Sequence, residues 1–201
     1  MSAPRRLGIF GGAFDPPHLA HLALARAAIE QLQLDELRVL PTGSAWHKAR
    51  PLSDASHRVA MARLAFAEVT GVVIDDRELH RQGPTYTVDT LRELRHEHPQ
   101  DTLVLVIGAD QADTFDQWRE SDEIARLAII SIAGRPRSEE PVGTVNPSRV
   151  PGGQWIPIAL PPLLVSATEI RSRRARGLGI DHLVPPSVAR YIDQHHLYLP
   201  A

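Results

Sequence analysis

Cysteine is absent from all 201 positions of the sequence. This absence excludes a disulfide framework and cysteine-ligated zinc or iron–sulfur sites, and it fits a reducing compartment. Apolar runs long enough to span a membrane are also absent, and the apolar stretch Leu7–Phe10 before the first glycine pair is too short for the core of a signal peptide. We therefore expect a cytoplasmic protein with no membrane partner.

Neither sign of charge is in excess. The 24 acidic and 22 basic residues leave a formal charge of -2, so the chain has no overall cationic field to hold nucleic acid. Any anion that it binds must be bound locally, and we expect no nucleic-acid partner. With 43% apolar residues, the chain is long enough to bury a core, and we expect a single domain over residues 1–201.

Short apolar runs alternate along the chain with segments of helical period. The runs predict strands at Leu7–Phe10, Leu37–Leu40, Val72–Ile74, Leu103–Ile107, Ala128–Ala133 and Gln154–Leu160. The periodic segments predict helices at Leu19–Leu32, at Asp54–Val69, from Thr87 to before Pro99, in a short stretch capped by Ser121, and after Ser166. Alternation of this kind predicts an α/β fold with a doubly wound parallel sheet, Rossmann-like, with ligands at the carboxyl ends of the strands.

Two features refine this prediction. Leu103–Ile107 is continuously apolar, as a strand covered on both faces requires, so it should be central. The range 134–153 holds four prolines and four glycines without an apolar period, and we expect it to be a mobile loop.

The loop after the first strand reads GGAFDPPHLAH from Gly11 to His21. Its glycines allow positive φ and close approach of a ligand, and Asp15 and Pro16 suit the start of a helix. The unpaired N–H groups of that helix start would form an anion site. The G-x-G-x-x-G and P-loop signatures are both absent, which disfavours a dehydrogenase and a P-loop NTPase.

His18 and His21 lie three residues apart, so both imidazoles should emerge on one face beside the glycines. They could donate N–H groups to a phosphate and, as imidazolium ions, offset its charge. A zinc site is one alternative, but no third ligand is evident. The other alternative is that the histidines only complete a helix end.

A second helix start reads SATEIRSRRAR from Ser166 to Arg176. Ser166 with Glu169 three residues later is a capping box, which is sufficient to explain both residues. The same helix start could also hold a polyphosphate, with Arg171 binding it bidentately. The remaining arginines could equally form a solvated face.

Together the GGAFDPPHLAH and SATEIR motifs resemble the nucleotidyltransferase superfamily, whose signatures are His-x-Gly-His and Ser-x-Thr-x-x-Arg. Ala20 stands where the first signature has glycine. Four further segments make the chain similar to the bacterial nicotinate-nucleotide adenylyltransferase family: DRELHRQGPTYTVDTL, VIGAD, TFDQWRE and VARYIDQHHLY. The similarity runs from residue 7 to residue 198.

This resemblance implies transfer of the adenylyl group of ATP to nicotinate mononucleotide, with release of pyrophosphate and formation of nicotinate adenine dinucleotide. It implies the catalytic residues His18, His21 and Arg171. The implied ATP-binding residues are Phe10, Gly11, Gly12, Phe14, Gly108, Asp110, Ser166 and Thr168. The implied mononucleotide-binding residues are Thr42, His47, Lys48, Thr85, Tyr86, Trp118 and Arg135. Mg²⁺ would be bound through the ATP phosphates, with no metal held by the chain itself, and the chain could form a homo-oligomer.

Simpler roles stay open for several of these residues. Gly108 and Asp110 could form an ordinary turn, His47 and Lys48 could be exposed loop charges, and Trp118 could be a core residue. Thr85, Tyr86 and Thr87 could cap and pack a helix, Thr87 through its hydroxyl. Two other functions also stay open: adenylyl transfer to a different acceptor, such as phosphopantetheine or nicotinamide mononucleotide, and non-catalytic sensing of an adenine nucleotide.

Overall fold

A computed structural model describes residues 3–43, 52–134, 153–161 and 163–200. His47, Lys48 and Arg135, predicted above to bind the mononucleotide, lie outside the described residues. Most of the predicted loop 134–153 lies outside them as well.

The core of the fold is a parallel sheet of six strands in the order β3-β2-β1-β4-β5-β6. The strands are β1 (Arg6–Gly12), β2 (Glu36–Pro41), β3 (Val72–Ile74), β4 (Thr102–Gly108), β5 (Ile129–Gly134) and β6 (Trp155–Ala159). The chain builds outward from β1 to β3 and then crosses back to β4, so the order reverses between β1 and β4. In folds of this kind, that reversal places the ligand crevice at the carboxyl ends of the two strands.

Seven α-helices connect and cover the strands in the described part of the chain. They are α1 (Leu19–Leu32), α2 (Ala55–Phe66), α3 (Thr87–Glu97), α4 (Ala109–Ala112), α5 (Ser121–Leu127), α6 (Ala167–Ala175) and α7 (Pro186–Gln194). Residues of α1, α2, α6 and α7 fill the core on one face of the sheet, and residues of α3 and α5 fill the core on the other. The doubly wound α/β prediction is therefore confirmed. None of the helices in the described ranges is long and apolar enough to cross a membrane.

The central position predicted for Leu103–Ile107 is also confirmed. This segment lies in β4, which pairs with β1 on one side and β5 on the other. Val104 and Val106 face one core cluster, and Leu105 and Ile107 face the other. A strand buried on both faces needs apolar side chains at consecutive positions, which explains its unbroken apolar run.

In two helices the N-cap lies one residue before the residue predicted to be the cap. Tyr86 is the N-cap of α3 and makes no side-chain capping bond, and Thr87 is already helical. Glu120, at φ 53°, precedes α5, and Ser121 is already helical. The predictions that Thr87 and Ser121 cap these helices are therefore wrong. Both helices are held by packing of their apolar faces on the sheet, so neither depends on a hydroxyl cap.

Candidate active site

Three neighbouring strands carry glycines at their carboxyl ends. Gly11 lies near the end of β1, Gly108 ends β4 and Gly134 ends β5. A Cβ atom added to any of the three would have no described atom within 4 Å. The described protein therefore leaves open space over this edge of the sheet, at the point where the strand order reverses.

The conformational role predicted for the first glycine pair is wrong. Neither Gly11 nor Gly12 has a positive φ, and the left-handed residue of this loop is Phe14, at φ 46°. A Cβ atom on Gly12 would lie 3.1 Å from the Phe14 ring. Gly12 therefore makes room for a neighbouring side chain of the protein, whereas Gly11 leaves room for a ligand.

We expect Gly108→Ala to raise the KM for ATP about tenfold without lowering the melting temperature, because the added methyl group meets open space in the free protein. Gly8→Ala is the matched control. Its Cβ atom would lie 2.5 Å from Leu34 Cδ1 in the core, so it should cost about 1–3 kcal/mol of stability and leave the KM for ATP unchanged. Equal effects of the two variants on this KM would contradict a nucleotide at the end of β4.

The first helix begins at Leu19, as its apolar period predicts, and not directly after Asp15. His18 is the N-cap of α1, so Asp15 does not cap the helix and Pro16 does not lie in its first turn. The Asp15 carboxylate is only 1% exposed and accepts hydrogen bonds from the Tyr198 hydroxyl at 2.7 Å and the Ser53 N–H at 3.2 Å. The Leu19 N–H donates to the Leu183 carbonyl at 3.0 Å. The helix start is therefore partly satisfied by the protein, and the prediction of wholly unpaired N–H groups is wrong.

The two imidazoles of the first motif lie against each other. The His18 and His21 rings are stacked, with centroids 3.7 Å apart and planes 23° apart. The backbone N–H of His18 donates to His21 Nδ1 at 3.1 Å. A nitrogen that accepts a hydrogen bond carries no proton, so neutral His21 must carry its proton on Nε2. His21 is half-buried, with the Phe14 ring 5.0 Å away in an edge contact.

His18 is more deeply buried than its partner. It is 7% exposed, and this burial lowers the pKa of its imidazole to about 4. In the described structure, His18 Nδ1 has no hydrogen-bond partner. Without a bound phosphate, His18 is therefore a neutral imidazole at pH 7.

Residues of the second motif contact the first loop directly. One terminal nitrogen of Arg171 donates to the Asp15 carbonyl at 2.7 Å, and the other donates to Thr168 Oγ1 at 3.2 Å. Ser166 is the N-cap of α6 and accepts from the Glu169 N–H at 3.2 Å, which confirms its predicted capping role. The two motifs, separated by more than 140 residues in the chain, thus form one site.

Phe10 and Phe14 do not line the open edge with their side chains. Both rings are buried, at 4% and 1% exposed, and they meet edge to face at 5.4 Å. The Phe14 ring also contacts the His21 ring, so it helps to set the orientation of that imidazole. Their backbone, and not their buried rings, is therefore available for contact with ATP, and their role in binding it stays a prediction.

Three of the four described residues that are predicted to bind the mononucleotide, Thr85, Tyr86 and Trp118, lie near the starts of α3 and α5, and the fourth, Thr42, follows β2. Trp118 is half-buried and lies on Phe115, with ring centroids 5.3 Å apart. The Arg119 guanidinium lies 4.5 Å from the centroid of the Tyr86 ring. Thr85 Oγ1 is buried and has no hydrogen-bond partner in the described structure. Asp110, predicted to bind ATP, is exposed and is the second residue of α4, the helix that begins directly after Gly108.

Buried charged residues beneath the site were not found from the sequence. Arg58, only 2% exposed, donates to the carbonyls of Ser53, Ala13 and Thr42 at 3.0, 3.1 and 2.7 Å. It therefore joins the first loop, the end of β2 and the start of α2. The only sequence signal was its place on the helical face that also carries the buried Ala62 and Ala65.

Glu78 is a second such residue. It is 7% exposed, and burial raises the pKa of its carboxyl, against the hydrogen bonds from the hydroxyls of Thr90 and Thr42. Gly43 allows this packing, because a Cβ atom there would lie 2.3 Å from the Glu78 carbonyl oxygen. The Thr42 hydroxyl is thus bonded to the protein itself, at the end of β2 where the mononucleotide phosphate was expected.

Residues that could hold a metal ion are not clustered in the described parts of the chain. Groups of three or more His, Asp or Glu side chains with suitable geometry do not occur there. His18 and His21 are stacked face to face, an arrangement that does not direct their nitrogen lone pairs to one point.

Comparison with known proteins agrees with this geometry. Residues 9–173 match the family described as Cytidylyltransferase-like. A relative in Albidiferax ferrireducens, named "Probable nicotinate-nucleotide adenylyltransferase", is 51% identical over 98% of this chain and 100% of its own. A relative of the same name in Methylibium petroleiphilum is 42% identical over 99% of this chain and 95% of its own.

The fold is likewise similar to solved structures. The nicotinic acid mononucleotide adenylyltransferase of Plasmodium falciparum, complexed with NaAD, superposes with a TM-score of 0.79 over 96% of this chain and 97% of its own, at 22% identity. The same enzyme complexed with APC superposes with a TM-score of 0.78. The resemblance seen in the sequence motifs is confirmed by the full-length relatives. This chain belongs to the nicotinate-nucleotide adenylyltransferase family.

Proposed function

We propose that this protein transfers the adenylyl group of ATP to nicotinate mononucleotide, giving nicotinate adenine dinucleotide and pyrophosphate. The observation that carries the proposal is the bond from Arg171 to the Asp15 carbonyl, at 2.7 Å. It ties a guanidinium to the loop that carries the stacked His18–His21 pair, at the strand edge that is open. This edge has room for a nucleotide, and the three side chains supply donors for its phosphates.

The chemistry requires positioning more than activation. The nucleophile is a phosphate monoester oxygen, whose second pKa near ~6 leaves it largely dianionic at neutral pH. A side-chain base is therefore unnecessary, and a neutral His18 is compatible with the reaction. The protein must align two polyanions and stabilise the charge that develops on the α-phosphate and the departing pyrophosphate.

We assign His21 Nε2–H to an oxygen of the α-phosphate, because the hydrogen bond at Nδ1 fixes that proton in place before ATP arrives. His18 lies under His21 and supports it, and a bound polyphosphate would favour protonation of its imidazole. Arg171 binds the β- and γ-phosphates, with Ser166 and Thr168 at the start of the same helix. ATP enters as its Mg²⁺ complex, and this metal is part of the substrate.

The adenosine would lie over the ends of β1 and β4. Gly11 and Gly108 allow its close approach, and Asp110 would accept from the ribose hydroxyls. Ala20 is half-buried in the first turn of α1 and adds a methyl group at this edge. We place the reaction in the cytoplasm, with ATP and nicotinate mononucleotide as the partners.

The nicotinate ring would stack on Trp118, whose half-exposed ring is supported from below by Phe115. The start of α3, at Thr85 and Tyr86, offers backbone N–H groups for the nicotinate carboxylate, and the Arg119 cation beside Tyr86 favours an anion there. This arrangement favours the acid over the amide. His47, Lys48 and Arg135 remain predicted ligands of the same mononucleotide.

Trp118→Ala should raise the KM for the mononucleotide by about 5- to 100-fold and leave the KM for ATP within twofold, because base-on-aromatic stacking contributes about 1–3 kcal/mol. Trp155→Ala is the matched control: Trp155 also contacts Phe115, at 5.4 Å, from the start of β6. It should lower stability without changing either KM. Equal rises in both KM values for Trp118→Ala would contradict stacking.

The proposed reaction is tested by pyrophosphate release from ATP with three acceptors compared side by side: nicotinate mononucleotide, nicotinamide mononucleotide and phosphopantetheine. We expect the highest kcat/KM with nicotinate mononucleotide. Preferential turnover of phosphopantetheine would assign the chain to a different acceptor. Absence of turnover with either pyridine nucleotide would overturn the proposal.

A further inference from the structure

We propose that Tyr198, close to the carboxyl end of the chain, is a positioning residue for adenylyl transfer that acts through Asp15 on Arg171. The inference rests on the proposed function, because it assigns Arg171 to the ATP phosphates. Tyr198 lies outside both nucleotide-binding motifs, and its hydroxyl donates to the Asp15 carboxylate.

Tyr198 is hydrogen-bonded to the loop that follows β1. The Tyr198 hydroxyl donates to Asp15 Oδ1 at 2.7 Å, across 183 positions of sequence. Burial and the Asp15 charge raise the pKa of Tyr198, so its hydroxyl stays protonated and remains a donor. The carboxylate that it holds is 1% exposed, and its other oxygen accepts the Ser53 N–H at 3.2 Å.

Asp15 is also hydrogen-bonded to Arg171. The backbone carbonyl of Asp15 accepts the Arg171 guanidinium at 2.7 Å. Asp15 thus holds Tyr198 with its side chain and Arg171 with its main chain. A rotation of the Asp15 peptide would move this carbonyl and with it the guanidinium, so the Tyr198 hydroxyl restrains the position of Arg171 without touching it.

The part of the chain that follows α6 makes a second contact with the region of the first loop, in addition to that of Tyr198. The Leu183 carbonyl accepts the N–H of Leu19, the first residue of α1. The Arg58 cation, which donates to the Ala13 carbonyl, interacts favourably with the Asp15 charge and so also supports the loop. The position of the first loop therefore depends on residues near the carboxyl end of the chain. Among these, Tyr198 makes the hydrogen bond to Asp15.

Tyr198→Phe removes one hydroxyl and leaves the ring in place. A buried carboxylate that loses a donor must reorient or recruit water, either of which moves the Asp15 peptide. We expect kcat/KM for ATP to fall about tenfold, with the KM for nicotinate mononucleotide unchanged within twofold. Affinity for a non-hydrolysable ATP analogue should fall by a similar factor.

Tyr191→Phe is the matched control. The Tyr191 hydroxyl lies 2.9 Å from His57 Nδ1, between α7 and α2. The control also removes one tyrosine hydroxyl bond near the carboxyl end of the chain, but it leaves the Asp15 contacts intact. It should therefore leave kcat/KM for ATP unchanged.

A double-mutant cycle separates positioning from general stability. If Tyr198 acts through Arg171, Tyr198→Phe should change kcat/KM for ATP by less than twofold in an Arg171→Ala background. Additive losses in the cycle would overturn the proposal, as would a loss in the Tyr191→Phe control equal to that in Tyr198→Phe. Arg171→Lys replaces Arg171→Ala in the cycle if the double variant does not fold.

The nucleotide-binding measurement keeps this proposal distinct from the proposed function. If the wild-type chain releases no pyrophosphate with nicotinate mononucleotide, the proposed function fails, and the cycle is completed with the ATP analogue alone. If the wild-type chain is active and Tyr198→Phe retains full kcat/KM for ATP, the positioning role fails while the proposed function stands.

Discussion

His21→Gln should lower kcat for adenylyl transfer about 100-fold while the protein remains folded. The backbone N–H of His18 donates to His21 Nδ1 and so holds the Nε2–H of that imidazole in place. A donor that is already oriented toward developing phosphate charge contributes about 10²–10³ in kcat. Glutamine is the sharpest replacement, because at the third position of a helix its side-chain oxygen can accept the same N–H of the N-cap residue. The variant thus removes the imidazole and retains the cap.

His96→Gln is the control for this prediction. His96 is an exposed residue in the last turn of α3, and its replacement should change neither kcat nor the melting temperature. Steady-state kinetics at saturating ATP and mononucleotide provide the measurement. An unchanged kcat for His21→Gln would remove His21 from the catalytic set.

Arg171→Ala should lower kcat/KM for ATP by about 10²–10³-fold, because a guanidinium that binds two phosphates makes charge-assisted hydrogen bonds that strengthen as pyrophosphate leaves. Arg171→Lys should recover only part of the loss. The lysine ammonium group retains the charge. It lacks the planar set of donors with which a guanidinium can bond to the Asp15 carbonyl and to the phosphates at the same time.

Arg176→Ala tests whether any arginine of this region would give the same result. Arg176 is exposed at the end of α6 and bonds to the Ser172 carbonyl at 3.2 Å. Its removal should leave kcat/KM for ATP unchanged within twofold. A loss equal to that of Arg171→Ala would mean that the cluster acts through its summed charge, which would contradict a specific role for Arg171.

The arrangement of the sheet could be predicted because its signals are local. Leu103–Ile107 is apolar at every position, and burial on both faces is the only common setting for such a strand. The assignment of capping residues was less accurate. Packing decides the first residue of α3 and α5, so the hydroxyls of Thr87 and Ser121 did not mark the caps.

The site was only partly predictable, for a physical reason. The spacing of His18 and His21 was sufficient to place both rings on one face, but the contact between Arg171 and Asp15 joins residues 156 positions apart. Arg58 and Glu78 were missed because charged residues in helical segments are usually exposed, and only the tertiary structure shows the carbonyls and hydroxyls that compensate their burial.

The glycines of the first loop show the same limit. Positive φ is the common reason for a glycine in a turn, yet Gly11 and Gly12 do not use it, and Phe14 does. What distinguishes Gly11 is the open space beside it, a property of neighbouring strands that lie far away in the sequence. Its role in binding ATP stays a prediction.

The most direct test of adenylyl transfer uses ATP that carries radioactive phosphorus at the α-position. We expect the purified protein, given nicotinate mononucleotide, to transfer this label to nicotinate adenine dinucleotide, and label at the γ-position to leave in pyrophosphate. We expect His21→Gln and Arg171→Ala to transfer the α-label more slowly. Label that appears in AMP, or that stays in ATP, would contradict adenylyl transfer at this site.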